Sequence, residues 1–440
     1  MIELKFAVMI NKKNLILLAI AIAIFGLTQC NKGGVHDPDA DPSQVRTGKN
    51  IFRFDTFGDE AFWSNLLHID KAIAGSANGG FGPGVSPRTA LAVGLKVDAM
   101  AIPADLAADI RAGKVNLDDP ATTLALLKLN AVVGVKGTFT DAGSLKAIGI
   151  TCAVCHSTVD NSFAPGIGNR LDGWPNRDLN VGTIISLTDN AKPIADMLHV
   201  SEPTLRTVLA GWGPGKFNAV MAVDGKATKP DGSIAANLIP AAFGMKDVAL
   251  ATYTGWGDIS YWNSFVANLE MHGKGNFTDP RLNDPVKYPI AVENGLYNVT
   301  NSPDLITSKL PALRAYQHSI AAPKPPAGSF NANAANRGKY LFMGKAKCAS
   351  CHSDQQLRNA NKILHTAEEI GIDDFEAKRS PTGKYRTTPL GGLFARAKGG
   401  FYHDGRYATL ADVVSHYNTA LHLNLTSAEM GDLTEYLKSL

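Results

Sequence analysis

Four of the five cysteines in this 440-residue chain fall into two C-x-x-C pairs, and each pair is followed at once by a histidine. The motifs are Cys152-Ala153-Val154-Cys155-His156 and Cys348-Ala349-Ser350-Cys351-His352. Two thiols three positions apart on a helical turn reach the two vinyl groups along one edge of a haem and form thioethers. The next residue then points its imidazole beneath the iron. The spacing implies two covalently bound haem c groups, held at Cys152/Cys155 and Cys348/Cys351, with His156 and His352 as proximal iron ligands. A zinc site wants four converging ligands, and each motif offers three adjacent ones. A thioredoxin-like pair sits in a βαβ setting, a pattern not found here. Disulfides are the default in an exported chain but leave the two histidines unexplained.

Export is written at the N-terminus. Lys12 and Lys13 precede an apolar stretch of 13 residues, Leu15 to Leu27. That is short for a membrane span and suits a signal sequence over residues 1–30. The stretch ends in Leu27-Thr28-Gln29-Cys30, which resembles a bacterial lipoprotein signal, although Gln29 stands where that signal normally has Gly, Ala or Ser. The resemblance implies lipidation of Cys30 and a lipid anchor at a membrane. A plain secretory signal and an uncleaved anchor are the other readings; all three put the remainder outside the cytoplasm, and the lipoprotein reading makes it a membrane-anchored protein of the periplasm. Hydrophobic residues make up 45% and charged residues 19%, as in a soluble globular protein, and the net charge is +3. With no basic stripe past the N-terminus, nucleic acid is excluded as a partner.

Residues 31–45 are polar and Pro-containing and read as a tether. Gly48-Lys49-Asn50-Ile51-Phe52 opens a helix and is echoed by Gly338-Lys339-Tyr340-Leu341-Phe342. The echo suggests two related units, an N-terminal haem domain at 46–320 and a C-terminal cytochrome c domain at 337–440, joined by a Pro/Ala linker at 321–336. The first unit carries a long insertion before its haem motif. Gly75 to Gly84 is a loop without nucleotide-binding spacing. Asp119-Pro120 starts a helix. Asp141-Ala142-Gly143 turns a hairpin, and Asp224-Gly225 or Asp231-Gly232 turns another. Thr426 and Glu429 form a capping box on a final helix with Leu433, Leu437 and Leu440 on one face. The fold class is mainly α: two cytochrome c-like haem domains, the first enlarged by an insertion with short β-hairpins.

Residues 337–440 resemble the di-haem cytochrome c peroxidase family and its relative, the di-haem enzyme that matures methylamine dehydrogenase. The resemblance rests on the opening helix, the haem motif, Arg386-Thr387-Thr388-Pro389-Leu390, Gly399-Gly400-Phe401-Tyr402-His403-Asp404-Gly405-Arg406 and His416-Tyr417-Asn418. Upstream there is a general likeness to large exported di-haem oxidoreductases, rubber oxygenases among them. The peroxidases have a much shorter stretch before their first haem motif. In them the distal ligand of the C-terminal haem is a Met fourteen residues after the His of His-Asp-Gly. Here that position is Tyr417, fourteen after His403, and the maturation enzyme has a Tyr there. His416 is the neighbouring alternative. Leu410, Val413, Val414 and Tyr417 recur at helical spacing, which puts Tyr417 on the buried face and His416 about 100° off it. His403 itself reads as a polar turn residue near a haem propionate.

For the first haem, Met271 and His272 are the best distal candidates, His68 and His199 are weaker, and an open iron is the alternative. Arg170, Trp174, Asn176 and Arg177 follow the first motif and suit propionate pairing, an edge between haems, or a plain loop. Three redox readings follow. One is electron transfer ending in a peroxidase-type reaction, with hydrogen peroxide as substrate and a small redox protein or quinol-linked donor as partner. Another is a pure carrier with two six-coordinate haems. The third is an oxygenase acting on an organic substrate. A non-redox binding or scaffold protein is the remaining alternative. The long insertion favours a substrate-related role over a bare carrier.

Overall fold

The computed structural model describes residues 41–353 and 363–440; Cys30 and the signal region lie outside them. Helices dominate, and the strands pair only two by two, in small separate ladders. Among the described residues no helix is long and apolar enough to cross a membrane.

The sequence echo becomes one packing motif used twice. Helix α1 (Pro42–Phe54) crosses α2 (Leu310–Ser319), and α3 (Ala332–Met343) crosses α5 (Ser427–Lys438). Each crossing turns on a glycine. A Cβ on Gly48 would fall 1.9 Å from the Ala312 carbonyl oxygen, and one on Gly338 would fall 2.0 Å from that of Asp432. Four residues on, Phe52 and Phe342 are fully buried and meet Tyr316 and Tyr436 edge-on at 5.4 and 5.2 Å. Burying each phenylalanine contributes about 1.5–3 kcal/mol. The sequence reading missed α2, whose Leu-Pro-Ala-Leu-Arg-Ala-Tyr run lacks a clear apolar stripe; it closes the N-terminal unit as α5 closes the C-terminal one.

Two boundaries move. Residues 42–45 are helical and not tether, because the Asp41 carboxylate caps the Ser43 N–H, Pro42 sits in the first turn and Val45 is buried. The linker ends at Asn331, which caps Ala334 N–H at 3.0 Å and starts α3 at Ala332. Strands β1 (Val135–Phe139) and β2 (Leu145–Ile150) form the expected hairpin around Gly143, whose φ is +85°. The second hairpin closes at Asp231-Gly232, while Asp224-Gly225 ends a short helix.

The main core of the first unit runs from Trp63 and Leu67 through Leu127 and Ile148 to Leu209 and Trp212. An aromatic cluster of Trp256, Trp262, Phe265 and Tyr288 adjoins it. The second unit has its own core on Phe342, Val414, Leu433 and Tyr436, with α4 (Leu410–Ala420) contributing Val414 and Tyr417. Its segment before α4 nevertheless lies on the first unit. Arg379 pairs with Asp224 at 2.7 Å, and Arg386 N–H donates to the Tyr253 carbonyl at 2.9 Å.

Candidate functional site

Strand β2 delivers the chain into a one-turn helix, Ala153–His156, that carries the first motif. Gly134, at the start of the hairpin, lets the two backbones touch: a Cβ there would lie 2.1 Å from Val154 N. Cys152, Cys155 and His156 then line a cavity of about 520 Å³, inside the range of small-molecule and cofactor pockets. Apolar side chains such as Ile185, Leu209, Trp212, Met245 and Trp262 supply most of its wall.

His156 Nδ1 lies 3.0 Å from the Pro240 carbonyl. A carbonyl only accepts, so Nδ1 carries the hydrogen and Nε2 keeps a free lone pair. That is the tautomer a metal-binding imidazole needs, with its other nitrogen anchored. Burial lowers this histidine to about 4, so it is neutral. The Cys152 and Cys155 thiols are unpaired, and burial raises both to about 12, which makes them poor thiolates. Among the described residues only Asp373, His403 and Asp404 bring three possible ligand atoms together, so neither C-x-x-C-H motif has a zinc-like ligand set. Arg406 bridges Asp404 and Asp373, and Lys229 reaches Asp404, so cations already serve that trio. Free thiols, an anchored neutral imidazole and an apolar cavity fit a covalently held haem.

Met271 and His272 line the same cavity. They follow a π-helical turn, Val266–Glu270, of the kind that clusters at functional sites. Met271 is buried, and its carbonyl accepts from the Trp63 indole at 3.2 Å. His272 sits at φ +59° with its ring stacked on Phe62 at 3.6 Å. Burial lowers it to about 4. Sequence reasoning passed over the residue before them. Glu270 lines the cavity, its Oε1 has no hydrogen-bond partner, and burial holds its carboxyl well above the ordinary range. The available signal was an acid at the end of an aromatic, apolar helix. His68 and His199 lie away from the cavity, paired with Asp189 at 2.8 Å and Glu293 at 2.7 Å.

Around the second motif, Tyr417, Cys348, Leu390 and Phe401 all pack against the core of the second unit, and the Tyr417 hydroxyl is close enough to feel both thiols. Desolvation raises the phenol. His416 is occupied elsewhere: Nε2 donates to the Ile370 carbonyl at 2.8 Å, and Nδ1 accepts from the Tyr407 hydroxyl at 2.7 Å. In this arrangement neither nitrogen is left for iron. Phe342 lies 6.1 Å from the His352 ring. Burial raises Cys348 to about 11.

Of the residues following the first motif, Arg170 is bound to Asp98 at 3.0 Å and Asn176 ties the loop to the Gly94 carbonyl at 2.9 Å. Trp174 stands between the units, 6.4 Å from Phe243 and 5.5 Å from Phe394.

No protein-family model and no curated protein matches this chain. Among solved structures it is similar to Kuenenia stuttgartiensis hydrazine synthase pressurised with xenon, at 17% identity and a TM-score of 0.30, over 49% of this chain and 76% of that one. An overlap at that score assigns neither fold nor function.

Proposed function

We propose that the chain is an exported di-haem c-type cytochrome acting in electron transfer as a peroxidase-type oxidoreductase, anchored through Cys30 on the periplasmic face of a membrane. The observation that carries the reading is the first cavity, which gathers two free thiols, an anchored neutral imidazole and a buried, unpartnered carboxyl. Haem bound there supplies one-electron redox chemistry and a site for peroxide. Cys152 and Cys155 hold it, and His156 presents Nε2 to it. The apolar wall excludes water. Glu270, a buried carboxyl in that cavity, would be a proton donor and acceptor for chemistry at a bound haem. In the second unit Cys348, Cys351 and His352 hold the other haem. Tyr417 is the better distal candidate because His416 has no free nitrogen. If bound iron displaced its proton, the Tyr417 oxygen would be a hard donor, favouring ferric iron and a lower potential there.

A specific observation also favours a pure carrier: the His272 imidazole faces the first cavity without a hydrogen bond and suits a sixth ligand. One experiment separates the two. Protein produced in a host with cytochrome c maturation is assayed for haem by pyridine haemochrome, then followed by Soret absorbance and EPR with and without peroxide. Two covalent haems and a peroxide-induced Soret change support the peroxidase reading. Two low-spin centres unmoved by peroxide leave the carrier, and absence of covalent haem overturns both.

A further inference from the structure

Three arginines meet where the two units touch. Arg177 follows the first motif, and Arg386 and Arg396 come from the C-terminal unit. Arg177 is 8% exposed, and its Nε and Nη1 are buried without a hydrogen-bond partner. The Nε atoms of Arg386 and Arg396 are likewise buried and unpartnered. Arg386 spends one donor on the Leu250 carbonyl at 2.8 Å, and the Arg396 guanidinium lies 4.8 Å above the Phe243 ring. Arg396 repels Arg386, and Arg177 repels Arg396. Among the described residues no carboxylate is ion-paired with any of the three. Desolvation pulls Arg386 down to about 9 and Arg396 to about 10.

Taking one guanidinium out of water without a counter-charge costs several kcal/mol, and like charges together add to that. Three such groups, each acting on the next, call for a counter-anion. Arg386 is the member of the group that reaches the first cavity: it lines that cavity with Tyr253, as do Cys152, Cys155 and His156, while Arg396 acts on Arg386 and Arg177 on Arg396. His403 stands 6.3 Å from Tyr253; its buried Nε2 makes no hydrogen bond and lies 3.9 Å from the Asp404 carboxylate. Haem carries two carboxylates on the rim opposite its thioether edge, and guanidinium forks match carboxylates in shape and charge.

We propose that Arg177, Arg386 and Arg396 form one buried oxyanion site, filled by the propionates of the haem attached at Cys152 and Cys155, so that this haem ties the C-terminal unit to the N-terminal one. The proposal rests on the first motif carrying haem. It makes the three arginines positioning residues: they orient the haem from its far rim and disfavour its oxidised, more positive state.

The test uses the full-length, haem-loaded protein with Arg386→Gln, Arg396→Gln and, as control, the exposed Arg46→Gln. Haem content and circular dichroism first establish loading and folding. Spectroelectrochemistry then reads the potential of the first haem. Each buried variant is expected to lose at least tenfold in its reduction equilibrium, about 59 mV for one electron, with Arg46→Gln unchanged. Cleavage of the 321–331 linker by a broad-specificity protease is expected to quicken in the two buried variants only. A loaded protein whose potential stays unchanged in both overturns the assignment and leaves the di-haem reading intact. A chain with no haem at the first motif overturns both. If inorganic phosphate raises the melting temperature of the loaded wild type but not of the two buried variants, the site holds a free oxyanion, and the propionate assignment fails.

Discussion

Glu270 has a buried carboxyl oxygen with no hydrogen-bond partner in a cavity lined mostly by apolar side chains. A carboxyl in that setting stays protonated at neutral pH, because ionising it would bury an unpaired charge. Removing such a proton relay typically costs 10²–10⁴-fold in rate. Glu270→Gln, nearly isosteric, is therefore expected to slow the peroxide-induced Soret change by about 100-fold or more. Haem content should be unmoved, since Cys152, Cys155 and His156 are all retained. An unchanged rate would remove Glu270 from the chemistry. Asp59 is another buried acid near the motif, close enough to act on Cys152. It accepts from Ile150 N–H at 3.2 Å, its second oxygen is unpartnered, and burial raises it from 3.8 to about 9. Below about pH 4 both folded and unfolded chains hold the proton. Between there and about 9 only the folded chain does, so this contribution to stability falls as pH rises, by at most about 1.4 kcal/mol per unit. Asp59→Asn should flatten the decline in urea midpoint between pH 5 and pH 8. Equal slopes in mutant and wild type would show that Asp59 ionises freely.

At the scale of elements, the two glycine crossings make a prediction in which one substitution changes sign with place. Gly→Ala inside an exposed helix normally stabilises by about 0.5–1 kcal/mol. Gly431 in α5 has open space around it and should behave so. Gly48 and Gly338 should not. The atoms a Cβ would strike are backbone carbonyls, which cannot swing aside, so the helices must separate at a cost of about 1–3 kcal/mol. Thermal melts of the three alanine variants check this, and a stabilised Gly338→Ala would mean the helices are not in contact in solution. The pairing also shows what the sequence carried. The Gly-Lys-x-x-Phe echo and the capping box at Thr426 are local signals, and they located α1, α3 and α5. Helix α2 was hidden because its identity lies in a contact with residues far earlier in the chain. The gathering of Met271 and His272 with the first motif was legible from their place after an aromatic helix. The role of Glu270 was not, since polarity in sequence does not tell a solvated acid from a buried one.

For the whole molecule, the sequence reads residues 337–440 as a domain of their own, and nothing local in it marks Arg379 as buried against the first unit. Two partners of Arg379, Asp224 and Asn218, lie 155 and 161 positions away, which no local pattern reveals. Arg379 is 1% exposed and grips Asp224 through Nε at 2.7 Å and Nη2 at 3.0 Å, Glu376 at 3.1 Å and Asn218 at 2.8 Å. The Tyr288 hydroxyl and Lys287 ammonium donate to the neighbouring carbonyls of Arg379 and Ser380. This network fastens the segment before α4 to the first unit on one side, as the three unpaired arginines do on the other. Its energetics are asymmetric. Replacing a whole buried ion cluster by apolar or neutral groups is often close to neutral, whereas removing one partner strands the opposite charge and costs about 3–5 kcal/mol. Arg379→Met strands Asp224 and Glu376. At about 2–4 °C per kcal/mol it should lower the melting temperature by roughly 6–20 °C. The triple variant Arg379→Met, Asp224→Asn, Glu376→Gln should recover most of that loss, because no charge is left unpaired. If single and triple variants melt together, the cluster contributes through packing and not through charge. If neither melts lower than wild type, the segment before α4 does not rest on the first unit in solution.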